Sequence, residues 1–135
     1  MKKLTALLCA VLVASVLAGV AVAHTFTATT SVSGAVAPTG AVAPGTRVVV
    51  FGKVRSTRSL CVRDRIVRLK RVRTPGPDPV LARTFTNRQG RYFFVRTVFR
   101  TQLVYVSVRR LVQTPAGHSH RCSGSRSANI RISVG

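Results

Sequence analysis

Ala128-Asn129-Ile130-Arg131-Ile132-Ser133-Val134 places an apolar residue at every second position, and this period of two is the strongest constraint on what the chain can fold into. It recurs over 102–112, where Val104, Val106 and Val108 alternate with Tyr105, Ser107 and Arg109. It recurs again over 65–72, where Val67 and Leu69 alternate with Arg68 and Lys70. Successive side chains of a strand point to opposite faces, so such segments fit a sheet with one buried face; a helix repeats its faces every ~3.6 residues instead. No segment after residue 23 has convincing helical periodicity. Further strands are expected over 26–36, 47–54, 80–86 and 91–98, with 127–134 as the last. Pro38-Thr39-Gly40, Pro44-Gly45, the proline-rich run 74–79, the hairpin turn 87–90 and the stretch 114–125 punctuate them. Proline fixes φ and removes a donor, and Gly90 supplies a positive φ. Seven short strands in a domain of about 110 residues make an antiparallel β-sandwich the expected architecture.

Residues 1–23 are of a different kind. Lys2 and Lys3 precede a run in which 17 of the 20 residues from Leu4 to Ala23 are apolar, and the run ends in Ala21-Val22-Ala23. A positive start, an apolar helical middle and a small-x-small end are the layout of a secretory signal peptide. The alternative is a retained anchor, since 20 apolar residues are long enough to span a bilayer. The polar sequence that follows at once, His24-Thr25, favours cleavage, and Cys9 is then discarded with the leader. The expected organisation is a signal peptide over 1–23, an Ala/Thr/Pro-rich segment with the first strand over 24–45, and the sandwich over 46–135. Cleavage leaves 112 of the 135 residues and lowers the formal charge from +20 to +18 through loss of the two lysines. The hydrophobic share falls from 46% to about 39%, ordinary for a globular domain. The expected location is secreted, extracellular or in the cell envelope.

Asp64 and Asp78 are the only acidic residues. Calcium sites, di-metal carboxylate sites and carboxylate-pair hydrolases each need several acidic oxygens, so these classes are set aside. No serine lies in a nucleophile-elbow motif, and there is no glycine-rich phosphate loop. A non-enzymatic role is expected. Asp64 stands between Arg63 and Arg65 and is expected to form a local ion pair, and Asp78 to stabilise the turn that it occupies. Two cysteines remain after cleavage, Cys61 and Cys122, and an even count in an exported chain predicts one structural disulfide.

Thr86-Asn87-x-x-Gly90-x-Tyr92-x-Phe94 resembles the Thr-(Asp/Asn)-x-x-Gly-x-(Tyr/Phe)-x-Phe hairpin of prealbumin-like, carboxypeptidase-regulatory-type immunoglobulin-like domains, common in secreted bacterial proteins. Gly52-x-Val54, Cys61, Arg65-x-Val67-x-Leu69 and the late Cys122 extend the resemblance over roughly 46–134. It implies a fold and export, and no catalytic residues. In that arrangement the third, sixth and last expected strands are neighbours in one sheet, and a Cys61–Cys122 bridge staples one end of it.

Such a sheet, with Val67, Leu69, Val104, Val106, Val108, Ile130 and Ile132 inward, turns Arg68, Lys70, Tyr105, Arg109 and Arg131 outward. The basic residues are spread along the chain, and most are expected simply to decorate solvent faces. A basic sheet face nonetheless suits anionic cell-surface polymers, by long-range attraction and by bidentate arginine–phosphate contacts, without sequence-specific nucleic-acid recognition. The alternative reading is an exported copper-binding protein. Cleavage after Ala23 would leave His24 with a free amine beside its imidazole, and His118 and His120 could add further imidazoles, which suit copper. A third reading is a partner protein of the envelope held along an edge strand. The chain is expected to be a monomer.

Overall fold

The structure, a computed structural model, describes residues 24–114 and 117–135. The expected signal segment lies outside the described residues. Thirteen strands occur among the described residues: β1 (Thr25–Ala28), β2 (Thr30–Val32), β3 (Ala35–Ala37), β4 (Ala41–Val42), β5 (Thr46–Ser56), β6 (Ile66–Arg71), β7 (Val80–Phe85), β8 (Arg91–Val98), β9 (Gln102–Val108), β10 (Leu111–Gln113), β11 (Ser119–Cys122), β12 (Ser125–Arg126) and β13 (Ile130–Val134). One turn of 3-10 helix, Ser59–Cys61, links β5 to β6.

Two sheets face each other across the core. The first has the order β4-β13-β9-β6-β7, with β12 also on β9. The third, sixth and last expected strands, now β6, β9 and β13, are indeed neighbours in it. The second sheet is built on β5, which carries β2 and β3 along one edge and β8 along the other. A small third sheet, β1-β11-β10, sits at one end.

The period of two explains the packing. Val48, Val50 and Val54 of β5 and Tyr92, Phe94 and Val98 of β8 face Val67, Leu69, Val104, Val106, Val108, Ile130 and Ile132 of the first sheet, and all are buried. The inward set expected for β6, β9 and β13 is therefore the observed one. Gly52 interrupts the valines of β5 for a reason. It lies opposite Tyr92, whose hydroxyl passes over it to donate to the Ser33 carbonyl, and a Cβ at residue 52 would collide with both. Gly90 closes the β7–β8 turn with φ +80°, and a Cβ there would strike the Val54 carbonyl.

The sandwich differs from the expected one in its outer parts. The single strand expected over 26–36 is broken into β1, which pairs with β11, and β2 and β3, which both pair with β5. Its Thr, Ser and Ala side chains offer no strong alternation, so distant strands decide its pairing. The strand expected over 102–112 stops at Val108 and resumes as β10 in the small sheet. Arg109 and Arg110 are both exposed, and a strand running through them would turn one inward. The expected loop 114–125 contains β11 and the first residue of β12. The sheets are mixed rather than antiparallel throughout, because β1 runs parallel to β11 and β4 parallel to β13.

Cys61 and Cys122 form the expected disulfide, with Cα atoms 5.4 Å apart and both residues fully buried. The bridge ties the 3-10 turn to β11, so it joins the small sheet to the sandwich. Ala28 packs against it, flanked by Phe26, Leu60 and Leu111. Beside it lies Arg65, 3% exposed. Its guanidinium donates to the carbonyls of Cys61 (2.7 Å), Arg109 (2.6 Å) and Ser123 (3.3 Å) and to Thr30 Oγ1 (3.4 Å). Burial lowers its pKa. Arg65 thus spends its charge on backbone oxygens where strands of both sheets and the small sheet meet, rather than on Asp64, whose φ of +54° marks the tight turn before it.

Candidate functional site

The outer face of the first sheet is set by its register. Lys70 lies opposite Tyr105, Arg68 opposite both Ser107 and Arg83, and Arg131 opposite Leu103. Arg126 on β12 also lies opposite Ser107. Arg109 follows β9 and is exposed at the end of the same face. The five residues expected to point outward from one sheet are therefore on one surface, joined by Arg83 and Arg126. Sequence reasoning missed Arg83, whose place follows only from the β6–β7 pairing. It missed Arg126 because residue 126 fell between the expected loop 114–125 and the expected last strand 127–134, where no strand was foreseen.

Tyr105 points outward but is only 5% exposed. The Arg126 guanidinium lies 3.7 Å over its ring and Lys70 Nζ 5.9 Å from the ring centre. Its hydroxyl donates to Asp78 Oδ2 at 2.9 Å. Tyr105 is thus a pedestal that holds two cations by cation–π attraction, not an open contact. Burial and the bond to Asp78 raise its pKa. Asp78 Oδ1 accepts the Arg73 amide at 2.8 Å, which is the expected turn contact. That bond and the Tyr105 hydroxyl lower the Asp78 pKa, so the carboxylate stays ionised and engaged.

At one end of the face is a cleft of about 290 Å³, lined by Arg68, Arg109, Arg110, Ile66, Phe85 and Asp64 among others. Arg68 Nε is buried there without a hydrogen-bond partner. Partial desolvation, then Arg109 and Arg83, lower the Arg68 pKa, as expected for cations gathered close together.

A second cluster lies on the small sheet. The parallel pairing of Thr25 with Ser119 and Phe26 with His120 sets His24 beside His118, and the Ser119 amide donates to the His24 carbonyl at 3.2 Å. Ring centres are 4.0 Å apart for His24–His118, 6.0 Å for His24–His120 and 6.4 Å for His118–His120. Phe26 packs on His120 at 4.4 Å and carries the Arg58 guanidinium at 4.5 Å on its ring. Nδ1 of His118 and Nδ1 of His120 are buried without partners. The rings overlap, and among the described residues no three His, Cys, Asp or Glu side chains stand ready to hold a metal ion.

The outer face of the second sheet is apolar. Phe51 lies directly opposite Phe93 and Val49 opposite Val95, and Phe51, Phe93, Val95 and the nearby Phe85 are exposed. A groove of about 570 Å³ runs along Phe51, Phe85, Phe93, Lys53 and Arg91.

No family model matches this chain, and no curated protein matches it. The class that fold and covalent structure define is an all-β sandwich with several mixed sheets and one disulfide. Among the described residues, no helix is long and apolar enough to cross a membrane. The disulfide fits an oxidising compartment outside the cytoplasm.

Proposed function

We propose that the protein is an exported, non-enzymatic module of the prealbumin-like immunoglobulin type that binds anionic cell-surface polymers through the outer face of its first sheet. The observation that carries this reading is the register that puts Arg68, Lys70, Arg83, Arg126 and Arg131 on one face, with Arg109 at its end. Asp78 keeps its charge beside Lys70 and Arg126, so this one carboxylate offsets only part of the charge of the six cations. Arginine forks engage phosphate or carboxylate groups in pairs, and a flat basic sheet presents several forks to an extended polymer at once.

The test compares two quadruple variants of equal charge. Arg68→Ser, Lys70→Ser, Arg109→Ser and Arg131→Ser together remove the face, while Arg47→Ser, Arg55→Ser, Arg88→Ser and Arg100→Ser together remove dispersed exposed charges. Binding to teichoic-acid-type polyphosphate is followed as a function of salt. The face variant is expected to lose at least about tenfold more affinity and to show a shallower salt slope. Equal losses in the two variants would sink the reading.

A partner protein is the second reading, favoured by the uncovered Phe51, Phe93 and Val95 beside β8, which among the described residues pairs only with β5. Phe93→Lys would then abolish capture of an extended envelope peptide while leaving polymer binding intact.

A further inference from the structure

We infer that the cleft at the end of the basic face binds one phosphorylated sugar unit, with the phosphate on Arg68, Arg109 and Arg110 and the sugar ring on Phe85. The inference deepens the polymer reading and rests on it for the source of that unit.

One buried atom points to a ligand. Buried polar atoms are nearly always hydrogen-bonded, because leaving one unpaired costs its desolvation without return. Arg68 Nε is buried and unpaired. A guanidinium nitrogen only donates, so what it lacks is an acceptor. Arg109 and Arg110 line the same cleft and are both exposed. Arg65 lines it too, but its guanidinium is already committed to three carbonyls and a hydroxyl. Guanidinium groups gathered at one cavity repel each other, and an anion among them relieves that cost. Arginine forks match the oxygens of phosphate in pairs.

The rest of the lining is built for more than a bare anion. On β6 and β7, Arg68 pairs with Arg83 and, two residues along, Ile66 pairs with Phe85. Residues two apart on a strand share a face, so the cationic pair and the apolar pair stand side by side, about 6.7 Å apart. Ile66 is 48% and Phe85 64% exposed, and Leu111 of β10 adds to the apolar wall. Phosphate alone would leave this wall in water. A ligand with an anionic end and a less polar body one step away covers both.

Size and Asp64 select the body. A cleft of about 290 Å³ is at the small end of ligand pockets, which suits one ring with its phosphate rather than the acyl chains of a lipid. Asp64 stands on the same wall and is exposed. A carboxylate repels phosphate but accepts hydrogen bonds from hydroxyl groups, so the part of the ligand beside Asp64 carries hydroxyls. A sugar ring meets both demands. Its hydroxyls lie at the rim, and its apolar C–H face stacks on an aromatic ring such as that of Phe85.

The experiment titrates the purified protein by calorimetry with glucose 1-phosphate, phenyl phosphate and inorganic phosphate at one ionic strength. Glucose 1-phosphate is expected to bind once per chain, at least about tenfold tighter than either of the others. Phe85→Ser and Arg110→Gln, at exposed positions outside the polymer face, should each weaken it at least about fivefold, while Arg88→Gln changes nothing. Circular dichroism establishes that each variant is folded. A short sugar-phosphate oligomer should displace the monomer, as a unit of a polymer would. Equal affinity for inorganic phosphate would overturn the proposal, since charge alone would then account for binding. So would equal affinity for phenyl phosphate, which has no hydroxyls, indifference to both variants, or an oligomer that does not compete. Polyphosphate has no sugar and reads the face alone, so a failure of the face and a failure of the cleft are told apart.

Discussion

Arg65 shows how much can hang on one side chain. A buried guanidinium with four hydrogen-bond acceptors and no carboxylate beside it is held by geometry alone. Arg65→Met leaves three carbonyls and a hydroxyl unpaired at the junction of the sheets, and is expected to destabilise the fold by about 3 kcal/mol in urea unfolding. Arg65→Lys recovers little of this, since an ammonium cannot reproduce the planar fork. Tyr92 is the other residue of this kind. Burial pushes its hydroxyl well above the usual tyrosine range. A pKa raised on folding contributes stability that is complete below the unfolded value of about 10 and declines as pH rises past it. Stability should therefore fall above about pH 10, and Tyr92→Phe should flatten that limb while costing about 1 kcal/mol at neutral pH for the lost bond to Ser33.

Among the elements, the β5–β8 pair and the small sheet make opposite demands. The first relies on a fitted contact, the Tyr92 ring over Gly52. Gly52→Ala forces apart β5, Ser33 and Tyr92, and is expected to cost about 3 kcal/mol, read as a lowered urea midpoint. The small sheet has short strands and a core of only Ala28, Cys61 and Cys122 with a few flanking apolar residues, so its attachment is covalent. The sequence separation of 61 residues makes the disulfide worth about 4 kcal/mol in the chain-entropy account. In the Cys61→Ser, Cys122→Ser variant, amide exchange should quicken first over β1, β10 and β11.

For the whole molecule, the scarcity of acids matters more than the abundance of bases. Acid unfolding is mostly the protonation of carboxylates that are paired in the native state. Asp78 has a lowered pKa, which contributes stability above the ordinary carboxylate range and loses it as pH falls below. With only two such side chains the urea midpoint should change little between about pH 7 and pH 3, and Asp78→Asn should remove the part of that change that Asp78 contributes. The same scarcity shapes the surface. Cations unmatched by anions spread over a sheet face, whereas in most proteins ion pairs would neutralise them.

The alternating valines determined the sheets by themselves, since a period of two under one buried face admits a single inward set. Val67, Leu69, Val104, Val106, Val108, Ile130 and Ile132 were legible for that reason, and so were the outward Arg68, Lys70 and Arg131. The cysteine pair was legible from its even count beyond the expected leader. Tertiary structure alone decided the rest. The Ala/Thr/Ser-rich start carries no alternation, so its strands took their partners from distant segments, and a parallel β1–β11 ladder cannot be read from a local pattern. Only that ladder brings His24 to His118 and His120. Likewise Tyr105 and Arg126 lie far apart in sequence, and their stacking, which makes an outward tyrosine a covered pedestal, follows from β12 folding back along β9.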